Sequence, residues 1–249
     1  MVYIRQEHAE RSIPVLHRFI RENPLGQFTT SIENSEHAKL QTTHIPFVLN
    51  DSSSEKGILR AHIARANPQA KSIIHNLKQS GSDFLGDEVL IIFNSPVQSY
   101  VTPKFYVETK PSTGKVVPTW NYSTVQVYGR VRVYYQNDPT TSSFLQKQVS
   151  DLSELNEQAS LRKRGKEDES TWKLTDAPER YVEILKRAII GLEIQIDRIE
   201  GRFKMSQEDS DGDWQGVVDG FKSMNSEEGN KMAEMIESRG QARCVKGGL

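Results

Sequence analysis

Residues 116–133, with the sequence VVPTWNYSTVQVYGRVRV, join an aromatic and polar segment to a cleanly alternating one. In the alternating part the polar residues fall on one face, and the opposite face carries Val125, Val127, Val131 and Val133. This period of two is typical of a half-buried β-strand, and we expect the strand to belong to a closed or strongly curved sheet. Gly129 interrupts the apolar face at its midpoint, which predicts a bulge, a barrel bend or the close approach of a ligand or another backbone.

Three residues just before this strand, Trp120, Asn121 and Tyr122, are predicted to form a turn. Two flat rings and an amide can hold a planar ligand by stacking and by hydrogen bonds at its edge. The same residues also fit a turn whose aromatic rings pack into the core. The segment alone therefore leaves a binding role and a packing role open.

Composition limits the classes of function. The chain has 249 residues, enough for one large all-β domain with added helices or for two small domains. Its 32 basic and 33 acidic residues give a net charge of -1. This balance argues against a protein-wide electrostatic contact with nucleic acid or an anionic membrane. DNA binding through a local patch stays open, although neither charge nor motif supports it.

The single cysteine, Cys244, excludes an intrachain disulfide and a multi-cysteine metal site, and it favours a reducing, intracellular location. No apolar run approaches the roughly 18 to 20 residues that span a bilayer. The first residues, MVYIRQEHAERS, are too charged for the apolar part of a signal peptide. We therefore expect a soluble protein of the cytoplasm or the nucleus, with no membrane partner.

Six segments have strand-like patterns, at residues 26–32, 39–49, 57–65, 88–94, 116–134 and 192–205. They predict a mainly β fold with added helices (α+β), built on a six-stranded antiparallel barrel. Helical patterns cover residues 12–23, 69–80, 176–189 and 227–238. The charged segment 156–171 shows no apolar period and is predicted to be a loop inserted into a first domain of residues 1–222. Residues 223–249 are predicted to form a C-terminal helix and a flexible tail from Gly240.

Polar side chains cluster at the end of the predicted strand 57–65. The guanidinium of Arg65 and the amide of Asn67, with backbone N–H groups of the following turn, suit a phosphate monoester. His62 adds a further hydrogen-bond donor. The alternative is a surface arginine and a half-buried histidine bonded to a carbonyl.

Two weaker clusters lie further along the chain. In the first, Pro103 can open a helical turn whose N–H groups form an anion site with the Thr102 hydroxyl and the Lys104 ammonium. In the second, the predicted strand 192–205 ends beside Lys204 and Gln207. A lysine near the pyrimidine side of a flavin favours the anionic reduced ring.

Other routes to catalysis lack their motifs. The sequence contains no Gly-x-Ser-x-Gly elbow, no Walker phosphate loop and no dinucleotide fingerprint after a strand. The six histidines form no i, i+4 pair on one helix and have no nearby cysteine, which argues against a structural zinc site. No catalytic residue and no metal ligand is assigned.

Five segments together resemble the PaiB-type family of FMN-binding negative transcriptional regulators, in order and spacing along most of residues 1–222. They are HIPF at 44–47, AHIARANPQ at 61–69, YVTP at 100–103, VPTWNY at 117–122 and GRFKMSQ at 201–207. The resemblance implies an FMN-binding split barrel that forms a homodimer and holds the flavin at the subunit interface. It also implies that the three polar clusters converge on the cofactor.

The resemblance also implies roles for individual residues. Near the phosphate and ribityl chain it implies Arg65, Asn67, His62 and Thr102. Around the flavin ring it implies Trp120, Asn121 and Tyr122, with Lys204 and Gln207 approaching from the dimer interface. Tyr100 is implied as a further cofactor contact. Two residues depart from the family pattern: Arg60 stands where a smaller residue is expected, and Ala70 where an aromatic one is expected.

Three functions stay open at this point. The first, implied by the resemblance, is a homodimeric FMN-binding regulator. The second is a flavin-dependent oxidoreductase, or a haem-binding or haem-degrading enzyme of the same fold, for which His44 and His62 are the candidate haem ligands. The third is an interaction protein that keeps the barrel and has no cofactor.

Overall fold

The computed structural model describes residues 3–52 and 54–244, and within them the chain forms nine β-strands and seven α-helices. The strands are β1 (Ala9–Glu10), β2 (Leu25–Ser31), β3 (Leu40–Pro46), β4 (Val48–Asn50), β5 (Ile58–Ala64), β6 (Val89–Asn94), β7 (Ser99–Val101), β8 (Thr119–Tyr134) and β9 (Ile189–Lys204). The helices are α1 (Ile13–Glu22), α2 (Pro68–Ser80), α3 (Thr109–Thr113), α4 (Pro139–Lys163), α5 (Glu179–Arg187), α6 (Asp211–Ser223) and α7 (Glu227–Cys244). None of the helices in this described part is both long enough and apolar enough to cross a membrane.

The chain divides into two compact units. Residues 17–93 and 126–199 form one of them, here called the barrel unit. Residues 3–16, 94–125 and 200–244 of the described chain form the other, here called the terminal unit. The long strands β8 and β9 contribute residues to both units.

The barrel unit contains a strongly curved antiparallel sheet. Its strand order is β3-β2-β6-β8-β9-β5-β4. The edge strand β3 also lies against β5, the strand next to the other edge, so the sheet curls round on itself. This confirms the predicted α+β fold class, a small antiparallel split barrel. The strand count differs from the predicted six, because the short strands β1 and β7 were not expected and the predicted strand 39–49 breaks at Phe47 into β3 and β4.

Strand β8 has the alternating burial that its sequence predicts. The valines at 125, 127, 131 and 133 are buried, and the residues between them are more exposed. A Cβ atom added at Gly129 would lie 2.1 Å from the carbonyl oxygen of Gln195 in β9. The glycine therefore permits the close approach of a second backbone, one of the three predicted reasons for its position.

Helix α4 corrects the first part of the predicted loop at 156–171, because the helix continues through Lys163; residues 164–171 contain no helix or strand. The helix begins at Asp138, whose Oδ1 accepts a hydrogen bond of 2.7 Å from the backbone N–H of Thr141. Its buried residues are Thr141, Leu145, Gln148 and Leu161. Since polar residues share the buried face with two leucines, the apolar period is too broken to be seen in the sequence.

In the terminal unit, α6 and α7 pack on the segment that follows β7. Their shared core consists of Val101, Tyr106, Met205, Val217, Val218, Phe221, Met232, Ala233 and Ile236. A Cβ atom at Gly216 would lie 2.2 Å from the carbonyl oxygen of Phe105, so α6 rests directly on that backbone. Helix α7 runs to Cys244, which corrects the predicted flexible tail from Gly240; residues 245–249 lie outside the described chain. The domain boundary at residue 222 stays a prediction.

Candidate functional site

The predicted phosphate residues lie where β5 leads into α2 in the barrel unit. Asn67 begins α2: its Oδ1 accepts a hydrogen bond of 2.8 Å from the N–H of Gln69, and its Nδ2 donates to the Thr43 hydroxyl at 3.2 Å. Asn67 therefore acts first as a helix cap. The N-terminus of α2 starts at Pro68, and its partial positive charge lies beside the Asn67 side chain.

Arg65 joins three parts of the barrel unit. Its Nε donates to the carbonyl of Arg187 at 3.0 Å, and its Nη2 donates to the carbonyl of Tyr135 at 2.6 Å. These bonds leave the Nη1 end of the guanidinium without a partner among the residues that the structure describes. Burial lowers the pKa of Arg65, which stays cationic at neutral pH. The residue lines a cavity of about 630 Å³ together with Lys186 and Arg187.

His62 lies on β5 and pairs in register with Gly191 of β9. The residue is half-buried, and its Nδ1 is a buried atom with no hydrogen-bond partner in the described chain. Burial lowers the pKa of His62, so the imidazole is neutral at pH 7. A neutral ring with a free nitrogen suits a hydrogen bond to a polar ligand better than an ion pair with a phosphate.

Two exposed aromatic rings mark the predicted ring site in the terminal unit. Tyr100 of β7 lies opposite Trp120 of β8, and the ring centroids are 6.2 Å apart in an edge-to-face arrangement. Tyr100 is 49% exposed and Trp120 is 47% exposed. Large rings that remain this accessible are available to a flat ligand. Trp120 belongs to strand β8, which corrects the prediction that residues 120–122 form a turn.

Asn121 lies on the opposite face of β8 from Trp120 and Tyr122. Asn121 is fully buried, and its Nδ2 donates a hydrogen bond of 3.1 Å to the hydroxyl of Ser206. Ser206 has a φ of 58°, a left-handed conformation that a residue without glycine's freedom rarely adopts. Tyr122 keeps its place on the face of Trp120, with the guanidinium of Arg202 at 5.5 Å from its ring centre.

The cluster at the end of β9 places Lys204 inside the terminal unit. Its Nζ donates to the Thr119 hydroxyl at 2.7 Å and lies 3.4 Å from Glu208. The Gln207 side chain is bonded within its own turn, where its Oε1 accepts a hydrogen bond of 2.6 Å from the N–H of Met205. Because Thr119 directly precedes Trp120, the lysine lies next to the start of the exposed aromatic pair.

Thr102 has a local role. Its hydroxyl accepts a hydrogen bond of 3.3 Å from the N–H of Lys104 and caps the single 3₁₀ turn Pro103–Phe105. A turn of three residues offers a much weaker dipole than a full helix. The predicted anion site at this turn stays a prediction.

Sequence reasoning missed a group of buried acids beside Lys204. His8, which is almost fully buried, shares a hydrogen bond of 2.9 Å with Glu208. Burial alone would raise the pKa of Glu208, but the bond to His8, a backbone hydrogen bond and the Lys204 charge lower it to about 2. Burial, assisted by the Glu208 charge, raises the pKa of Asp209 to about 6. Burial and the neighbouring carboxylates raise the pKa of Tyr106 to about 12.

This group could give or take a proton near neutral pH. Asp209, with its pKa near 6, sits next to an acid that stays ionised, which is the arrangement that separates two neighbouring carboxyl pKa values. The Ser-Gln-Glu-Asp run after β9 is visible in the sequence. Nothing in the sequence indicates that His8, 200 positions away, completes it.

The structure thus gathers the predicted residues in two sets. In the barrel unit, His62, Arg65 and Asn67 follow one another along a strand, a turn and a helix start. In the terminal unit, the set consists of Tyr100, Thr102, Trp120, Asn121, Tyr122, Lys204 and Gln207, with the Asn121 amide turned to the interior. The convergence of both sets on one cofactor stays a prediction.

Comparison with known proteins finds a family that matches most of the chain. The family described as "Putative FMN-binding domain" matches residues 2–198 of the chain. A protein of Aspergillus fumigatus, itself uncharacterised, is 47% identical over 98% of this chain and 100% of its own length. "Protease synthase and sporulation protein PAI 2" of Bacillus subtilis is 24% identical over 89% of each chain. Among solved structures, the flavocytochrome Anf3 from Azotobacter vinelandii aligns with a TM-score of 0.46 and 10% identity, over 86% of this chain and 78% of its own.

Proposed function

Because the chain belongs to the "Putative FMN-binding domain" family, as the five sequence segments predicted, we propose that it binds FMN as a homodimer and acts as a PaiB-like regulator. The observation that carries the cofactor part is the family match over residues 2–198. The half-exposed pair of Tyr100 and Trp120 supports it, because an isoalloxazine ring needs a flat apolar surface. An intracellular location, cytoplasmic or nuclear, belongs to the same proposal.

The side chains present fit the chemical demands of FMN. Trp120 and Tyr122 offer rings on one face of β8, and the Lys204 ammonium would favour negative charge on a reduced flavin. In the barrel unit, the Nη1 end of Arg65 suits a phosphate oxygen, and His62 Nδ1 has no protein partner in the described chain. When bound, FMN would supply reversible transfer of electrons or hydride.

The homodimer is supported by an uncovered apolar face in the barrel unit. On α5, Tyr181 and Ile184 are each 56% exposed, and Leu185 is 48% exposed. Their spacing puts them on one side of the helix, as a partner surface requires. Ile184→Glu should shift the protein from dimer to monomer in sedimentation velocity, whereas the control Arg180→Gln on the same helix should leave the dimer intact. A monomeric wild-type protein would contradict this part.

A second candidate function is a flavin-dependent oxidoreductase. Asp209 favours it, because a carboxyl with a pKa of about 6 can exchange a proton at neutral pH as a flavin gains or loses electrons. The net charge of -1 gives no support to direct DNA binding. Any regulatory effect therefore need not involve a DNA contact.

The cofactor proposal is tested by visible absorption of the purified protein before and after incubation with FMN. We expect a bound-flavin spectrum that weakens in Arg65→Ala and in Trp120→Ala and is unchanged in Arg180→Gln. A haem Soret band instead of a flavin spectrum, or uptake of neither chromophore, would contradict it. Where FMN is bound, its reduction by NAD(P)H would favour the oxidoreductase. Salt-dependent DNA binding would favour a direct regulator.

A further inference from the structure

A second cavity, of about 740 Å³, lies in the barrel unit and contains none of the residues predicted to contact flavin. Its walls come from β4 and the turn after it, from the middle of α4 (residues 146–155), and from residues 172–175. Arg60 of β5 also lines it. This volume is within the range of cavities that take small organic ligands.

Arg60 is an unusual residue to find in such a wall. It is 6% exposed, and its Nη2 donates to Asp151 of α4 at 2.5 Å. Its Nε and Nη1 are buried and have no hydrogen-bond partner among the described residues. A guanidinium holds its five N–H donors in a fixed planar fork, so Arg60 cannot turn these donors toward a partner while it keeps its bond to Asp151. Its unpartnered edge therefore lacks an acceptor within the described chain.

The lining as a whole is balanced, with three acids against Arg60, Lys147 and Lys173, but the charges around Arg60 are not. Asp151 serves two cations at once, because Lys147 lies 3.0 Å from the same carboxylate oxygen as Arg60. The Glu154 carboxylate accepts hydrogen bonds from the side chains of Gln158 and Thr171. The group formed by Arg60, Lys147 and Asp151 consequently carries one positive charge in excess. An anion is the ligand that this charge favours.

Asp51, the third acid in the wall, is likewise engaged. Its Oδ2 accepts a hydrogen bond of 2.5 Å from Arg21 and lies 3.5 Å from His17. The Arg21 hydrogen bond helps to lower the pKa of Asp51, although burial works against it. Asp51 therefore adds little repulsion against a bound anion.

The opposite wall is apolar and aromatic. Trp172 is 44% exposed and Leu155 is 47% exposed, and both line the cavity with Leu174. The hydroxyl of Thr171 donates to Glu154 at 3.2 Å, which fixes the segment before Trp172 to α4. The cavity thus offers a flat indole surface within the same space as a partly unpartnered guanidinium, which suits a flat apolar body attached to an anionic group.

We propose that this cavity binds a small aromatic carboxylate. Its carboxylate is bound by Arg60 and Lys147, and its ring packs on Trp172. The proposal also gives a physical reason for two features of the sequence, the arginine at position 60 and the charged segment that returns the chain to Trp172. It does not depend on the flavin proposal.

The test is calorimetric titration of the full-length protein with 1-naphthoate, and with neutral 1-naphthalenemethanol as the matched ligand. We expect saturable binding of naphthoate, with the alcohol weaker by about tenfold or more, the factor for one charge-assisted hydrogen bond. Trp172→Ala and Lys147→Ala should weaken naphthoate binding, and Trp172→Phe should restore most of it. The exposed control Lys166→Ala should have no effect.

Asp151→Asn gives an opposite prediction. Removing the carboxylate that competes for Arg60 should tighten naphthoate binding, which a purely structural role of the pair would not produce. No saturable binding of naphthoate by the wild type would overturn the proposal. Equal binding of the acid and the alcohol, or weaker naphthoate binding by Asp151→Asn, would overturn it as well. Flavin absorbance, recorded on the same samples, reports separately on the cofactor proposal.

Discussion

Two buried cations, one from each unit, differ in how the fold satisfies them; a third, Lys186, is also buried in the barrel unit. Lys204 in the terminal unit is 8% exposed, and its single nitrogen meets the Thr119 hydroxyl and the Glu208 carboxylate. Arg60 in the barrel unit is 6% exposed, and only its Nη2 has a partner, the carboxylate of Asp151. The lysine nitrogen therefore has partners, whereas two of the three arginine nitrogens have none among the described residues.

The contrast separates a buried cation that the chain itself satisfies from one that lacks acceptors. A lysine is a compact charge that a hydroxyl and a carboxylate can satisfy, whereas an arginine has a wide planar fork with five donors. Buried donors are rarely left unpaired in folded proteins, so an exception points to something that the fold does not provide. Arg60 is such an exception, and Lys204 is not.

The largest effect is expected for Arg60→Met. The change leaves Asp151 without its main partner, so we expect a loss of about 2 to 3 kcal/mol of unfolding free energy, below the range for a fully buried pair because the carboxylate is partly exposed. Urea denaturation measures it. Asp151→Asn in the same background should recover part of the loss, and a change in Arg60→Met below about 1 kcal/mol would place the pair among surface ion pairs.

Lys204→Met should have a smaller effect, about 1 to 2 kcal/mol, because one charge-assisted hydrogen bond and one ion pair are removed. The Lys204 charge helps to hold down the pKa of Asp209, so that pKa should rise further in the variant. Denaturation and carboxyl carbon NMR report the two quantities. The matched control is Lys222→Met, since Lys222 pairs with Glu237 on the surface. An equal loss of unfolding free energy in both variants would show that the burial of Lys204 adds nothing to stability.

The acids beside Lys204 should give the terminal unit a pH dependence of opposite sign on two sides of pH 4. Asp209 has a folded pKa of about 6 against an ordinary value of 3.8, so its contribution to stability is lost as pH rises from about 4 to about 6. Glu208 has a folded pKa of about 2 against an ordinary value of 4.5, so its contribution is lost as pH falls through that interval. Thermal melting across pH 2 to 7 follows both changes.

Two variants separate the contributions. Asp209→Asn should remove the decline in melting temperature between about pH 4 and pH 6, and Glu208→Gln should reduce the decline below about pH 4, each by a few degrees. If Asp209→Asn leaves the upper decline unchanged, the raised pKa is assigned to the wrong residue.

The smallest effect is expected for Lys147→Ala. Lys147 is 66% exposed on its side chain, and such surface pairs contribute about 0.5 kcal/mol or less. The variant should therefore melt like the wild type in denaturant titration. A loss as large as that of Arg60→Met would mean that the two cations share Asp151 equally, which would remove the contrast between Arg60 and Lys204.

Much of the fold could be predicted from local pattern. Strand β8 was visible because its core face from Val125 to Val133 is all valine apart from Gly129. The family was visible because five short segments keep their order. Helix α4 was missed because Thr141 and Gln148 occupy positions on its buried face. Local periodicity carries no information about burial of that kind.

The site was less predictable, because its contacts join distant positions. Asn121 follows Trp120 in the sequence, but the alternation of a strand turns their side chains to opposite faces. The pairing of Arg60 with Asp151 joins residues 91 positions apart, and that of His8 with Glu208 joins residues 200 apart. Such partners are set by the sheet and the helix packing, and a single sequence contains no sign of them.

Native mass spectrometry of the purified full-length protein tests the central claim most directly, because it reports bound cofactor and assembly state in one spectrum. We expect a dimer that carries one FMN per chain after incubation with the cofactor, and loss of that added mass in Trp120→Ala. A spectrum in which the wild type takes up haem but no FMN, or takes up neither, would contradict it.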